Sequence, residues 1–354
     1  MPRPTIKPTT RPRQSRTLLV TGGAGYIGSH VVKALIARGE DVVVFDNLST
    51  GFAWSIEGAE LVVGDLGDKE ALETLFAVNH FEAVLHFAAN IWVGESVRDP
   101  AKYYRNNVAN ALNLFETAGK HHTPHLIFSS TAAVYGEPDA ALLDETLPSA
   151  PINPYGASKM MAERLLADVA NASAMTFAIL RYFNVAGADP GGRIGEATPD
   201  NSHLVKIACE TALGHRPAMS INGTDYPTAD GTCVRDYIHV EDLAIAHVAA
   251  LDHLRKGNAS TICNCGYGHG QSVREVVDMV KEVTGVDFAV REGPRRLGDP
   301  PVLVADNAKI RSVLGWQPKY GDLRFIVETA WRWERILEER RSNNQETTPL
   351  SRSA

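Results

Sequence analysis

Through its first 180 residues the chain alternates short apolar runs with longer stretches in which apolar positions recur every three or four residues. The runs Thr17–Thr21, Asp41–Phe45, Glu60–Val63, Ala83–His86, His125–Ser129 and Thr176–Arg181 predict strands. The segments near Tyr26–Arg38, Lys69–Asn79, Pro100–His121 and Tyr155–Val169 predict helices. Strand–helix–strand repetition of this kind predicts the α/β class, a doubly wound parallel sheet with helices on both faces. After Asn184 the rhythm breaks, as Gly187, Pro190, Gly191, Gly192, Pro199, Gly214 and Pro217 accumulate. A nucleotide-binding domain is therefore expected over residues 17–184, and a smaller, loop-rich, partly interleaved substrate-binding domain over 185–337. Ile238–Leu251 and Ser260–Asn264 read as a helix and a strand, a return segment near 238–264 that rejoins the first domain. The proline-rich, basic residues 1–16 read as a disordered arm and the polar residues 340–354 as a flexible tail.

Composition narrows the class. Hydrophobic residues make up 44% and charged ones 22%, enough for a packed core over 354 residues. A formal net charge of -7 gives no basis for a nucleic-acid partner. No apolar run approaches the roughly 18–20 residues of a membrane span, and residues 1–16 lack the apolar stretch of a secretion signal. The four cysteines, Cys209, Cys233, Cys263 and Cys265, lack the paired spacing of a zinc site. They read as buried free thiols in a reducing cytoplasm, and no metal is expected.

Directly after the first predicted strand stands Gly22-Gly23-Ala24-Gly25-Tyr26-Ile27-Gly28. Glycines at such a turn let the backbone approach a pyrophosphate, while the helix that follows offers free N–H groups and positive potential. Asp46 ends the second strand, about twenty residues on, where a carboxylate accepts hydrogen bonds from a ribose 2′-hydroxyl and repels a 2′-phosphate. That favours NAD over NADP. Asp65 follows the third strand and faces the adenine position. Phe87-Ala88-Ala89 follows the fourth, where small residues let a ribose pass.

Tyr155 and Lys159 lie four apart on a predicted helix and share one face. A free tyrosine titrates near about pKa 10, too high for a neutral-pH base. A neighbouring ammonium and a helix N-terminus, here marked by Asn153 and Pro154, both push the phenol down. Thr131, beyond the fifth strand, supplies a hydroxyl to hold the oxygen being deprotonated towards Tyr155. Thr131, Tyr155 and Lys159 are the candidate catalytic group.

The glycine turn, His86-Phe87-Ala88-Ala89, Ser130-Thr131-Ala132-Ala133-Val134-Tyr135-Gly136, Pro154-Tyr155-Gly156-Ala157-Ser158-Lys159 and Leu180–Asn184 resemble extended short-chain dehydrogenase/reductases, a Rossmann-type family. The stretch Asp225–Val240, with Gly94-Glu95-Ser96 and Arg296…Asp299, resembles the UDP-glucose 4-epimerases within it. The likeness runs from about Thr17 to Leu337. It implies an isomerase of nucleotide-sugar and galactose metabolism, which oxidises sugar C4 transiently with tightly held NAD and returns the hydride to either face. It implies cofactor contacts from Tyr26, Ile27, Asp46, Asn47, Asp65, Leu66, Asn106, Phe183, Tyr155 and Lys159. For the UDP-sugar it implies Arg235 and Arg296 at the diphosphate, Asp299 at the uridine ribose, and Asn184 at the diphosphate or sugar. His203 and Leu204 are expected to give backbone contacts, and Leu303 to limit the sugar pocket; Thr131 also meets substrate. Arg295 beside Arg296 leaves open which of them meets the diphosphate. Relatives are commonly homodimers packed through the helices near Pro100–His121 and Tyr155–Val169.

The chain departs from its relatives at Ile91, where many carry a lysine, and at Leu303, which is intermediate in bulk. UDP-GlcNAc or UDP-uronate 4-epimerases, and decarboxylases, remain as alternatives. A 4,6-dehydratase does not fit, because Ala132 and Ala133 follow Thr131 where elimination needs an acid and a base.

Overall fold

A computed structural model describes residues 17–198, 202–296 and 298–343; the expected arm (1–16) and most of the expected tail (344–354) lie outside the described residues. The first half runs β1 (Thr17–Thr21), α1 (Tyr26–Ala37), β2 (Asp41–Asp46), β3 (Glu60–Val63), α2 (Lys69–Val78), β4 (Phe81–His86), α3 (Val93–Arg98), α4 (Pro100–Tyr103), α5 (Asn110–Lys120), β5 (His125–Thr131), α6 (Pro154–Asn171) and β6 (Thr176–Tyr182). There follow β7 (Asn184–Ala186), α7 (Leu204–Ala212), β8 (Met219–Asn222), β9 (Val234–Arg235), β10 (Tyr237–His239), α8 (Val240–Arg255) and β11 (Thr261–Cys265). The chain closes with β12 (Gln271–Ser272), α9 (Val273–Thr284), β13 (Val290–Gly293), β14 (Val302–Leu303), α10 (Ala308–Leu314) and α11 (Leu323–Ser342).

Seven strands form one parallel sheet in the order β3-β2-β1-β4-β5-β6-β11. The predicted doubly wound sheet is thus present. Its strands are buried on both faces, which explains why they read as continuous apolar runs rather than alternating ones. One face packs on α1 and α8 through Val31, Leu35, Leu243 and Leu251; the other packs on α2, α5 and α6 through Leu72, Leu75, Leu114, Phe115 and Leu166. Strand order reverses between β1 and β4, so a crevice opens at the carboxyl ends of those two strands. A shorter sheet of β9 with β12 and β14 gives Arg235 and Leu303 to the far side, and β8 pairs with β13.

Two segments differ from the sequence expectation. The single helix expected over Pro100–His121 is divided: Asp99 caps α4, and Tyr104–Ala109 is a π-helical turn before α5. The looser turn aims Asn107 inward, where its amide bonds both the N–H (2.8 Å) and C=O (2.9 Å) of Asn90 and the Ser158 hydroxyl (3.0 Å). Those bonds tie the loop after β4 to α6, and a tertiary demand of this kind overrides helical periodicity. The chain expected to be flexible from Arg340 is instead helical through Ser342, because the Arg340 guanidinium stacks over Trp54 (4.5 Å) and Trp333 (5.3 Å).

A buried ion pair fixes β5, α6 and β6 against one another. Glu163 on α6 accepts from Arg181 Nη2 (2.6 Å) and Nε (3.0 Å) on β6, and from the Ser130 hydroxyl (2.5 Å) on β5. Removing one member of such a pair strands the other charge away from water. Arg181→Met is expected to lower unfolding free energy by about 3–5 kcal/mol, read from urea denaturation; a loss below ~1 kcal/mol would show that the pair is not structural.

Candidate active site

The crevice is a single cavity of about 1120 Å³. At one end the β1–α1 turn has no room for side chains. Gly22 holds φ +72°, and a Cβ there would meet Ala88 N at 2.4 Å; one on Gly28 would meet the Gly22 carbonyl at 2.3 Å. Helix α1 follows Gly25 at its N-cap, with no side-chain cap and no acid in its first turn. Its leading N–H groups and dipole therefore face the cavity uncompensated, a donor set that suits a pyrophosphate. Asp46 is buried beside them, its carboxylate accepting from Ala24 N (2.9 Å) and Leu48 N (2.8 Å). Burial pushes its pKa up, and those two backbone bonds pull it back. Asp65 accepts from Asn47 Nδ2 (2.7 Å) and Gly67 N (2.7 Å). This end fits a dinucleotide whose adenosine ribose carries no phosphate.

Near the middle, Thr131 ends β5 and Tyr155 opens α6. Asn153 caps α6, accepting from Gly156 N at 2.9 Å, and Pro154 takes the first helical position, so the phenol lies at the positive helix end. Tyr103 packs edge-on against Tyr155 at 6.5 Å, its own hydroxyl donating to Glu95 (2.9 Å). Sequence reasoning quoted Glu95 only as part of a motif and missed Tyr103; both line the cavity. The Gly94-Glu95-Ser96 motif was the available signal.

Lys159 stands apart from the expectation. Every other predicted site residue lines the cavity, whereas the Lys159 ammonium is buried behind its wall, donating to the Ser129 carbonyl (2.9 Å) and lying 4.9 Å over the Phe128 ring. Burial lowers its pKa to about 7, with Glu163 pulling upward. Burial also raises Tyr155 to about 12, against a smaller downward pull from Thr131. The expected acidification of the phenol by the ammonium is therefore corrected: desolvation outweighs it, because each group loses water and gains no full countercharge. Protein groups by themselves leave Tyr155 protonated at neutral pH.

The far end carries the predicted arginines. Arg235 forms an ion pair with Asp299 and donates to the carbonyls of Val234 (2.8 Å) and Pro300 (2.7 Å). These two residues were expected to hold the diphosphate and the ribose separately; here they hold each other at the cavity wall. Arg295 turns away, bonding Asp225 (2.7 Å) and covering the Tyr226 ring at 4.3 Å, while Arg296 faces the cavity. Asn184, His203, Leu204, Phe183 and Leu303 complete this end, and Ile91 borders the opening, 43% exposed. Among the described residues no cluster of metal-ligating side chains occurs, and no helix is long and apolar enough to cross a membrane. All four cysteines are free and buried.

Residues 18–266 match the NAD dependent epimerase/dehydratase family. The chain belongs to this family. Its fold and its dependence on NAD follow from that membership. A UDP-glucose 4-epimerase of Azospirillum brasilense is 52% identical over 332 residues, covering 94% of this chain and 95% of the relative. The crystal structure of a Brucella ovis UDP-glucose 4-epimerase in complex with NAD superposes with a TM-score of 0.87 at 44% identity, covering 89% of this chain and 97% of that one. A Bifidobacterium longum UDP-glucose 4-epimerase in complex with NAD+ and UDP superposes with a TM-score of 0.85 at 36% identity, covering 90% and 98%.

In this member of the family, Asp46→Asn keeps the carboxylate's shape and removes its charge. Weakening of NAD binding by roughly tenfold is expected, since a bond to a charged acceptor contributes about 1.5–3 kcal/mol. Discrimination against NADP is expected to shrink in parallel, measured by fluorescence titration with both dinucleotides. Unchanged discrimination would remove Asp46 from the ribose site.

Proposed function

We propose that this chain interconverts UDP-glucose and UDP-galactose by inverting the sugar at C4. The observation that carries the reading is one continuous cavity, with the glycine turn and Asp46 at one end, Tyr155 and Thr131 in the middle, and Arg296 with the Arg235–Asp299 pair at the other. A volume of about 1120 Å³ exceeds the roughly 300–1,000 Å³ of a site for one small molecule. It suits a dinucleotide and a nucleotide sugar held end to end.

NAD, when bound, supplies what no side chain here can, the acceptance and return of a hydride at sugar C4. The turn Gly22–Gly28, Tyr26, Ile27, Asp46, Asn47, Asp65, Leu66, Phe87–Ala89, Asn106 and Phe183 would hold it. The remaining chemistry is the chain's own. Tyr155 Oη takes the proton of the 4-hydroxyl and gives it back, with Thr131 Oγ1 holding that hydroxyl in line. Because protein groups leave the phenol high, the base must be made by an added cation, the positively charged nicotinamide being the one the cofactor brings. Lys159, one helical turn along α6 from Tyr155, would stabilise the phenolate or share its proton. Asn184, His203, Leu204 and Arg296 bind the UDP half, and opening of the Arg235–Asp299 pair frees both partners for phosphate and ribose. Ala132 and Ala133 put methyl groups on the cavity wall after Thr131, which leaves elimination of water without an acid or a base. The chain also pairs as a homodimer through α5 and α6; a monomer by light scattering at micromolar concentration would contradict this.

Tyr155→Phe is the direct test, with UDP-galactose as substrate and UDP-glucose formation as the readout. A fall in kcat of about 10²-fold or more is expected for loss of a general base, and activity within a few-fold of wild type would reject that role. Leu303→Gly is expected to raise turnover of UDP-N-acetylgalactosamine relative to UDP-galactose. An unchanged ratio would show that Leu303 does not bound the sugar pocket.

A further inference from the structure

A carboxylate is a poor neighbour for a diphosphate, yet Glu196 stands on the wall of the cavity's substrate end. Its carboxylate is mostly buried and lies 2.6 Å from Nδ1 of His203, which faces the same cavity. His203 immediately precedes α7, whose N-terminus has no side-chain cap. The helix end thus presents positive potential to one wall, with the imidazole beside it. The pair is braced from behind. The Glu196 backbone carbonyl accepts from Lys206 Nζ (3.1 Å) and from Trp333 Nε1 (3.0 Å) on α11. Lys206 is itself paired with Glu334 on α11 and lies 3.5 Å from Glu210.

The titratable groups facing His203 come from three helices and the Glu196 loop. A void of about 20 Å³ is lined by Tyr26 of α1, Lys206 of α7, Glu334 of α11, Glu196 and His203 itself. Tyr26 is neutral, its pKa raised by burial and then by Glu196, Glu241 and Glu334. Lys206 and Glu334 largely answer each other. Glu196 is the carboxylate bonded to the imidazole.

We propose that Glu196 is a positioning residue that keeps the His203 imidazole protonated, so that its side chain meets the substrate diphosphate as a cation. Burial alone pulls the imidazole pKa down, and Glu196 more than restores it, leaving it above the ordinary value. The attraction is complete below that pKa and disappears as pH rises through it. The proposal rests on the UDP-sugar reading above and deepens it: sequence reasoning gave His203 only a backbone role.

Calorimetric binding of UDP-glucose to the NAD-loaded enzyme, measured from about pH 6 to 8.5, tests this apart from kcat, which Tyr155 and Lys159 govern. The ligand's diphosphate is a diester and lacks the monoester proton that titrates near about pH 6, so a break in affinity belongs to the protein. Wild type is expected to weaken as pH rises through the His203 pKa, which lies above the ordinary imidazole value. Glu196→Gln leaves the backbone bonds to Lys206 and Trp333 in place. It is expected to weaken binding about tenfold at neutral pH, the loss of a charge-assisted contact, and to move the break to lower pH. His203→Gln is expected to bind weakly with no break, and the double variant no worse than His203→Gln. A Glu196→Gln profile that matches wild type overturns the proposal. So does a double variant weakened by the product of the two single effects, or a break that survives His203→Gln. Wild type that binds UDP-glucose without epimerising it would instead overturn the function proposed above.

Discussion

Burying a phenol and an ammonium four residues apart on one helix sets the terms for the rest of this structure. Desolvation drives both towards their neutral forms, Tyr155 to about 12 and Lys159 to about 7. A resting site of this kind is chemically quiet. In the function proposed above the phenol becomes a base only when positive charge arrives beside it, and a cofactor held by the α1 N-terminus, the glycine turn and Asp46 would bring that charge. Coupling the base to cofactor occupancy is thus a consequence of burial, not a separate device. The same burial must be supported mechanically, and the Glu163–Arg181 pair with the Ser130 hydroxyl does so by tying β5 and α6, which carry Thr131, Tyr155 and Lys159, to β6.

The substrate end follows a different logic. Two of its charges are paired within the protein at the cavity wall, Arg235 with Asp299 and His203 with Glu196. In the function proposed above, the ligand gains by taking over the partners of the Arg235–Asp299 pair, while Glu196 stays on His203. Exchange of this kind lowers the cost of holding arginines near a cavity wall and sharpens selection for ligands that offer both phosphate and ribose.

Legibility in the sequence tracked how local the physical cause is. The β1–α1 turn was readable because its constraint is steric and lies within seven residues, where a Cβ at Gly22 or Gly28 would collide with backbone. The sheet was readable because strands buried on both faces leave continuous apolar runs. Tyr155 and Lys159 were readable as a pair through helical spacing, which became informative only with Thr131 beyond the fifth strand. Features set by distant contacts were not. The π-helical turn exists to satisfy Asn107 against Asn90 and Ser158, and no local pattern announces it. Lys159 turns to the Ser129 carbonyl rather than to the cavity, and Arg235 to Asp299, through choices among partners that spacing cannot rank. Helix α11, which braces Glu196 through Trp333 and Glu334, matters by what it touches.

In the function proposed above, Tyr155 is a base made by added charge. An ultraviolet titration of the tyrosinate band, comparing wild type with Tyr155→Phe in the NAD-loaded protein, addresses it most directly. A phenolate signal that vanishes with the substitution and titrates well below the ordinary value of 10 is the expected result. A difference that emerges only above that value would mean that the phenol stays protonated at working pH, and the proposed proton transfer would have no base.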